Sequence, residues 1–243
     1  MSTIAHNLED VRQRIEAACA HAGREPGSVR LLPVTKTMST DTIMQARAAG
    51  CRRFGENKVQ EAARKAEELS GEDIEWALIG HLQTNKARVV ARFAAEFQAL
   101  DSLRLARELD KRLHTQGRRL DVLVQVNSSG EDSKFGLPPD EVVGMARQLG
   151  QYDALRVTGL MTLAVFSADR AQVAACFERM RAIQAQLRDT DAVRVGEGWD
   201  ELSMGMSGDF ELAIEHGATI VRVGQAIFGA RLDANDYWPG VTG

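Results

Sequence analysis

The chain has 243 residues, of which 44% are hydrophobic and 26% are charged, and its formal net charge is −4. The length is near the roughly 250 residues of a one-domain eight-stranded α/β barrel, and the composition allows a sizeable core. Lys and Arg are scattered among acidic residues, which argues against nucleic acid or an anionic membrane as partner, since both attract concentrated positive charge.

The cysteines and the N-terminal segment indicate a cellular compartment. Cys19, Cys51 and Cys176 have spacings that fit neither a disulfide framework nor a metal site. We expect reduced, mostly buried thiols and a cytoplasmic protein. The first residues carry charges where a secretory signal needs an apolar run, and no apolar stretch of about 18 residues occurs.

The chain opens with an amphipathic helix. Its apolar residues recur at steps of three and four, with charges between them, and the pattern ends at Gly23. The members of this stripe are Leu8, Val11, Ile15 and the pair Ala18/Cys19. After a turn at residues 24–27, short apolar runs alternate with helical patterns to the end of the chain, as in βα units.

Eight strands are predicted from these apolar runs. They lie at about residues 30–35, 52–55, 75–80, 96–100, 120–126, 155–161, 200–204 and 219–223. The helices between them include 102–115 and 169–187, each apolar on one face. With no linker or change of composition, the pattern favours a single domain over residues 1–243: a closed (β/α)8 TIM barrel with an extra N-terminal helix, rather than an open doubly wound sheet.

Polar residues that directly follow an apolar strand are the candidate site residues, because barrel active sites lie at the carboxyl ends of the strands. Lys36 ends the first strand, where its amine could form an imine with an aldehyde or simply be solvated. Asn57 follows the second strand and is either a site residue or a helix N-cap. The polar stretch 80–86 after the third strand is either a helix cap or part of a lining.

Two further segments follow the last two strands. Residues 203–209 are rich in small residues before a helix, so their backbone amides suit a phosphate, although a tight turn capped by Ser207 or Asp209 is the alternative. Arg222 interrupts an apolar parallel strand, and either a core ion pair or a ligand would balance its charge. Gly224 allows close approach to a ligand. The combination of amine, phosphate cradle and buried cation predicts a pyridoxal phosphate pocket.

Six sequence blocks in order carry a resemblance to a known family. They are VTKT around Lys36, FGENKVQEAARK from Phe54, IGHLQTNKAR from Ile79, VNSSGEDSKFGL from Val126, GLMTL from Gly159 and LSMGMSGDFELAIEHGATIVRVGQAIFG from Leu202. In these blocks the chain resembles, from end to end, the pyridoxal phosphate homeostasis protein family, which is similar in fold to the N-terminal barrel of alanine racemase.

The resemblance implies roles for individual residues. Lys36 would carry pyridoxal 5′-phosphate as an internal aldimine, and Arg222 would face the pyridine nitrogen. The phosphate would be held by Ser203, Gly224 and Gln225. Asn57, Met161 and Met204 would surround the ring, although the pattern alone makes the two methionines core residues.

Four positions qualify the resemblance. Many members have Thr where this chain has Gln225, so a hydroxyl contact to phosphate is not implied here, while the backbone amide remains. Met38 stands where many members have a second lysine, so no cofactor transfer is assigned to that position. Lys58 replaces a common aromatic residue. Lys134 matches a lysine of the family, and a solvated side chain is its default interpretation.

These residues favour a protein that manages the cofactor over one that catalyses with it. A cationic Arg222 at the pyridine nitrogen disfavours the protonated ring, which is the better electron sink. Racemases of this barrel type take a Tyr base from a second domain, and the chain is too short to contain one. Of its two tyrosines, Tyr152 is expected at the end of the barrel opposite to the site, and Tyr237 lies in the tail after the last strand. We therefore expect homeostasis of the cofactor, apoenzymes as candidate recipients and a monomer. A racemase, or a phosphosugar enzyme that uses Lys36, is the alternative.

Overall fold

The computed structural model describes residues 3–131, 133–190 and 198–229. The strands are β1 (Arg30–Pro33), β2 (Arg53–Glu56), β3 (Glu75–Leu78), β4 (Glu96–Leu100), β5 (Leu120–Gln125), β6 (Leu155–Met161), β7 (Glu201–Ser203) and β8 (Ile220–Val223). The α-helices are α1 (Thr3–His21), α2 (Thr40–Ala48), α3 (Val59–Glu68), α4 (Ala87–Phe93), α5 (Leu103–Gln116), α6 (Val142–Leu149), α7 (Arg170–Arg188), α8 (Phe210–Glu215) and α9 (Gln225–Phe228). Short 3-10 helices lie at Thr84–Lys86 and Pro139–Glu141.

The eight strands form one parallel sheet that curls into a barrel. Hydrogen-bonded neighbours follow the order β1-β8-β7-β6-β5-β4-β3-β2. The remaining gap between β1 and β2 is bridged by the pair Val34 and Gly55, where the amide of Thr35 donates to the carbonyl of Gly55 at 3.0 Å. The predicted (β/α)8 barrel is confirmed, and so are all eight strand positions to within two residues.

Helix α1 precedes the barrel and packs on its outside against α8, α9 and α2. Its buried stripe is Leu8, Val11, Ile15, Ala18 and Cys19, as the periodicity predicts. Asn7 ties it to the end of the chain's last described helix by donating to the carbonyl of Ile227 at 2.8 Å. The helix ends before Gly23, whose φ of 65° is the left-handed conformation that glycine adopts without strain.

An ion cluster closes the amino-terminal end of the barrel. Glu96, the first residue of β4 and 1% exposed, accepts hydrogen bonds through Oε2 from Arg30 at 2.7 Å and Arg53 at 2.6 Å. These arginines begin β1 and β2, so the three charges lie at the end opposite to the βα loops. The opposite, carboxyl end of the strands is the end at which barrels of this kind bind ligands, and a cavity lies there.

The structure can be compared with two expectations, one about the cysteines and one about membrane-spanning segments. The three cysteines are all buried free thiols, as predicted. Within the described ranges, no helix is both long enough and apolar enough to cross a bilayer.

Candidate functional site

A cavity of about 630 Å³ lies at the carboxyl ends of the strands. Its volume is within the range of about 300–1,000 Å³ that is usual for small-molecule sites. Each of β1, β2, β3, β5, β6, β7 and β8 supplies lining residues from its own end or from the loop after it. Five of the predicted site residues meet in this one lining: Lys36, Asn57, Arg222, Gly224 and Gln225.

Lys36 is half-buried and reaches the cavity from the turn after β1. The residue that follows it, Thr37, has a φ of 64°. This left-handed conformation is unfavourable for a β-branched residue, so surrounding contacts must hold it. The amide of Thr37 donates to Glu61 Oε1 at 2.7 Å.

A buried ion cluster lies next to this turn, and we call Glu56, Glu61 and Lys65 the Lys65 cluster. The Lys65 ammonium is fully buried and donates to Glu56 Oε1 and Glu61 Oε1, both at 2.7 Å. It also donates to the carbonyl of Thr35 at 2.7 Å. Burial raises the pKa of Glu56, an effect that Lys65 opposes and that the second carboxylate, Glu61, reinforces.

The raised pKa gives Glu56 a predictable influence on stability. The folded protein holds the Glu56 proton to higher pH than the unfolded chain does. The stability that this proton contributes is therefore fully present below the unfolded-state pKa, and it is lost as the pH rises through the folded-state pKa. A glutamine does not titrate, so the free energy of unfolding of Glu56→Gln, relative to wild type, is expected to increase as the pH rises.

Urea unfolding of wild type and Glu56→Gln between pH 4 and 8 measures this difference. Each unit by which the pKa is raised adds about 1.4 kcal/mol to the change between the two pH limits. The amide oxygen of glutamine still accepts from Lys65 and from the Thr35 hydroxyl, so the hydrogen-bond geometry is retained. Parallel stability profiles for the two proteins would contradict the prediction.

Asn57 lines the cavity, and it is not the helix N-cap that was its alternative interpretation. The N-cap of α3 is Lys58, an exposed residue whose side chain makes no capping hydrogen bond. The position of Asn57 depends on Gly80 after β3, because a Cβ on Gly80 would lie 2.2 Å from the Asn57 carbonyl oxygen. A glycine at this position lets the ends of β2 and β3 come together beside the cavity.

Arg222 lines the cavity from β8 and is only 3% exposed. It donates to Ser203 Oγ and to the carbonyl of Thr162, both at 2.7 Å. Within the described ranges no carboxylate forms a salt bridge with it, although the charge of Asp209 acts on it from farther away. Burial lowers its pKa to about 10, so it is still a cation at neutral pH. The core ion pair, which was the alternative interpretation, is not found among these residues.

A chain of hydrogen bonds holds the Arg222 guanidinium in place from below. Ser203 Oγ accepts from Arg222 and donates to Gln98 Oε1 at 2.7 Å. Gln98 Nε2 in turn donates to Glu96, which carries the ion cluster at the other end of the barrel. Because every member is buried and bonded, Arg222 has little freedom to move away from the cavity.

The loops after β7 and β8 form one wall of the cavity. Met206, Ser207 and Gly208 come from the first loop, and Gly224 and Gln225 come from the second. The amide of Ala226 donates to Ser207 Oγ at 3.4 Å, which links the two loops. The first amides of a helix have no acceptor within the helix, so those at the start of α9 suit an anion.

Three of the predicted site residues do not line the cavity. Met161 and Met204 are fully buried, as their pattern indicates for core residues. Ser203 is 1% exposed and lies beneath the cavity, where its hydroxyl is bonded to Arg222 and Gln98. Its contact with a phosphate stays a prediction, and the position shown here makes it a support of Arg222.

Some lining residues were missed by the sequence analysis or left with two interpretations. Gln125 ends β5, so the rule that selects polar residues at strand ends could have found it. His81, whose loop had two interpretations, is a lining residue; its ring stacks on Phe135 at 4.0 Å, and its Nδ1 is 3.2 Å from Asp101. Lys134 was interpreted as solvated, but it lines the cavity and donates to the carbonyl of Ala164 at 3.0 Å.

Apolar side chains surround the cavity mouth. The large hydrophobic residues that are most exposed in the described ranges are Phe135, Leu163, Phe166 and Met206, and all of them line this cavity. No local pattern distinguishes them from core residues in the sequence, because their position depends on how the loops meet.

Comparison with known proteins defines the class of this barrel. Residues 2–232 match the family described as alanine racemase, N-terminal domain. The pyridoxal phosphate homeostasis protein of Pseudomonas aeruginosa is 42% identical over 231 residues, which cover 95% of this chain and 97% of that one. The protein of the same name in Escherichia coli K12 is 39% identical and is covered to 98%. The chain belongs to the pyridoxal phosphate homeostasis protein family.

Solved structures agree with this membership. PipY of Synechococcus elongatus, with pyridoxal phosphate bound, superposes with a TM-score of 0.80 at 36% identity, covering 93% of this chain and all of that one. The alanine racemase of Clostridium difficile has a TM-score of 0.73 at 13% identity. It shares the fold, and 58% of its chain is covered.

Proposed function

We propose that this protein binds pyridoxal 5′-phosphate in the barrel cavity as a Schiff base on Lys36 and serves the intracellular homeostasis of that cofactor without substantial turnover. One observation carries the proposal: an amine shares a cavity with a buried guanidinium that has no carboxylate partner among the described residues, and the loops after β7 and β8 form a wall of that cavity. The PipY structure, which contains the same cofactor, supports it.

The residues of the cavity fit the chemical groups of the cofactor. Lys36 provides the amine for the aldehyde, and Arg222 provides a donor for the pyridine nitrogen. Gly224 and Gln225 offer backbone amides to the phosphate, with Ser203 behind them and the Ser207 hydroxyl beside them. Asn57, which lines the cavity, would lie beside the ring, and the buried Met161 and Met204 would pack beneath it.

Gly224 brings the β8 loop close to Val34, which follows β1 and precedes the turn that bears Lys36. A Cβ on Gly224 would lie 3.1 Å from the carbonyl oxygen of Val34, closer than nine in ten real contacts of this kind. Because Lys36, Gly224 and Gln225 line the same cavity, one small molecule can contact both the amine and the β8 loop.

The position of Arg222 supports binding rather than catalysis. When bound, the cofactor supplies a ring that accepts electron density best with its nitrogen protonated. A fixed cation facing that nitrogen opposes its protonation. Tyr152 is buried and precedes β6, at the amino-terminal end of the barrel, and Tyr237 lies outside the described residues. The close relatives named above are called homeostasis proteins.

We further propose one barrel domain over residues 1–243 that acts as a monomer in the cytoplasm. The buried free thiols support a reducing compartment. Apoenzymes that use the same cofactor are the proposed recipients.

Absorption spectroscopy with borohydride reduction tests the site. Protein titrated with pyridoxal phosphate is expected to turn yellow, and reduction is expected to fix the cofactor on the peptide that contains Lys36. A labelled peptide without Lys36 would overturn the assignment of this residue. Incubation of the loaded protein with an apoenzyme then tests transfer.

The proposed absence of turnover leads to a separate prediction. The loaded protein is expected to exchange no α-protons of alanine or other amino acids into deuterated water, because Arg222 weakens the electron sink. Proton NMR of each amino acid over several hours measures the exchange, with an alanine racemase as positive control. Steady exchange that depends on Lys36 would instead identify an enzyme of the racemase type.

A further inference from the structure

The Lys65 cluster has a function that the cofactor site does not itself explain. Glu56 and Lys65 are fully buried and Glu61 is 3% exposed, and the described cavity lining includes none of them. Buried ion clusters are expensive to desolvate, so they are weak evidence for stability alone. Their position in the fold is more informative.

The cluster holds the backbone on the amino-terminal side of Lys36. The Thr35 carbonyl accepts from Lys65 Nζ at 2.7 Å, and the Thr35 hydroxyl donates to Glu56 Oε1 at 2.7 Å. Thr35 is fully buried, so neither bond competes with bulk water.

The Lys65 cluster also holds the backbone on the carboxyl-terminal side of Lys36. Thr37 is the one non-glycine residue of the described ranges with a positive φ, and its amide donates to Glu61 Oε1 at 2.7 Å. The Thr37 hydroxyl is buried and has no hydrogen-bond partner in these ranges. The side chain of Thr37 therefore does not explain its strained backbone, whereas the carboxylate that receives its amide does.

We infer that Glu56, Glu61 and Lys65 are positioning residues that fix the backbone on both sides of Lys36 and so direct its amine into the cavity. The inference rests on the proposed function of Lys36, but its structural part applies to the protein without cofactor. The left-handed turn at Thr37 changes the direction of the chain directly after Lys36, and Glu61 keeps that turn populated.

Hydrogen exchange of the cofactor-free protein tests the structural part. In Glu61→Ala the amide of Thr37 is expected to exchange at least about tenfold faster than in wild type, which corresponds to about 1.4 kcal/mol of lost protection. Arg118→Met is the matched control. Arg118 donates to the carbonyls of Ala91 and Ala94, so its loss destabilises the fold away from Lys36. Thr37 exchange in this control is expected to change only as much as global stability does.

Cofactor binding tests the functional part. The dissociation constant of Glu61→Ala for pyridoxal phosphate, from absorption titration, is expected to rise about tenfold, and Arg118→Met is expected to bind like wild type. Glu61→Gln keeps an acceptor for the Thr37 amide, so its loss is expected to be smaller. If Glu61→Ala does not fold, Glu61→Gln and Glu61→Gln/Thr37→Gly are measured in its place.

The substitution Thr37→Gly distinguishes an effect of Glu61 on the position of Lys36 from an effect on the stability of the fold. Glycine adopts a positive φ without a Cβ penalty, and the lost hydroxyl makes no hydrogen bond to any residue that the structure describes. Adding Thr37→Gly to a Glu61 variant is therefore expected to restore part of the lost affinity. The inference is overturned if the Glu61 variants lose only stability, with unchanged affinity and Thr37 exchange, or if the glycine restores nothing. Failure of wild type to label at Lys36 would instead reject the proposed function and leave the exchange result valid.

Discussion

Replacing Lys36 by alanine is expected to abolish the covalent attachment of pyridoxal phosphate to this protein. Lys36 lines the cavity at the end of β1, on a turn that the Lys65 cluster fixes. An amine in this position is the group that can condense with the aldehyde. Without it, the yellow absorption band should disappear, and borohydride should fix no cofactor on the protein.

Residual binding through the phosphate loops and Arg222 is expected to persist in Lys36→Ala, but to be weaker. If the covalent link contributes about 3 kcal/mol, affinity falls by about a hundredfold. Equilibrium dialysis measures this loss, and circular dichroism checks the fold.

The control for Lys36→Ala is another lysine near the same loops. Lys58 is exposed and does not line the cavity, so Lys58→Ala should keep both the band and the label. Lys134 does line the cavity, which makes it the competing amine. A full yellow band in Lys36→Ala, lost only when Lys134 is also replaced, would contradict the assignment of Lys36.

The second large effect is expected for Arg222→Met, which should change the spectrum of the bound cofactor while the fold is retained. The guanidinium is buried with no carboxylate paired to it in the described part of the chain, and it is bonded to Ser203 and Thr162. Its removal takes away the charge that opposes protonation of the ring nitrogen. The pH at which the spectrum changes should therefore rise by about one unit or more, at about 1.4 kcal/mol per unit.

The stability of Arg222→Met is expected to change little. Burial lowers the pKa of Arg222 to about 10 because desolvation disfavours the charged guanidinium. Methionine has similar length and no charge to desolvate, and this gain offsets the loss of two hydrogen bonds to within about 2 kcal/mol. Urea unfolding measures the difference. An unchanged cofactor spectrum in a folded Arg222→Met protein would show that Arg222 does not face the ring.

The match between predicted and observed strands has a local cause. β5 and β8 are buried along nearly their whole length, so each is a mostly apolar run, with few polar residues, that can be located from the sequence alone. Helix α1 was equally clear, because its buried stripe follows the helical period. The apolar pattern is weaker in β2, β4 and β7, yet the alternation of strand and helix still placed them to within two residues.

Local sequence patterns could not predict which groups surround each site residue. The sequence placed Arg222 in an apolar strand, but it did not show whether a carboxylate in the core neutralises the charge. That answer depends on Ser203 and Thr162, which are 19 and 60 residues away in the chain. Likewise, the exposed Phe135 and Phe166 have nothing in their local pattern that assigns them to the cavity mouth.

Lys36 illustrates the difference between what the sequence determines and what the tertiary structure decides. By itself, the sequence determined that an amine stands at the end of an apolar strand in a βα repeat, and hence at the carboxyl end of the barrel. Only the tertiary structure decided that Glu61 and Lys65, 25 and 29 residues further along the chain, hold the turn around it. Burial and strand order follow from local periodicity, whereas the pairing of buried charges depends on side chains that only the closed barrel brings together.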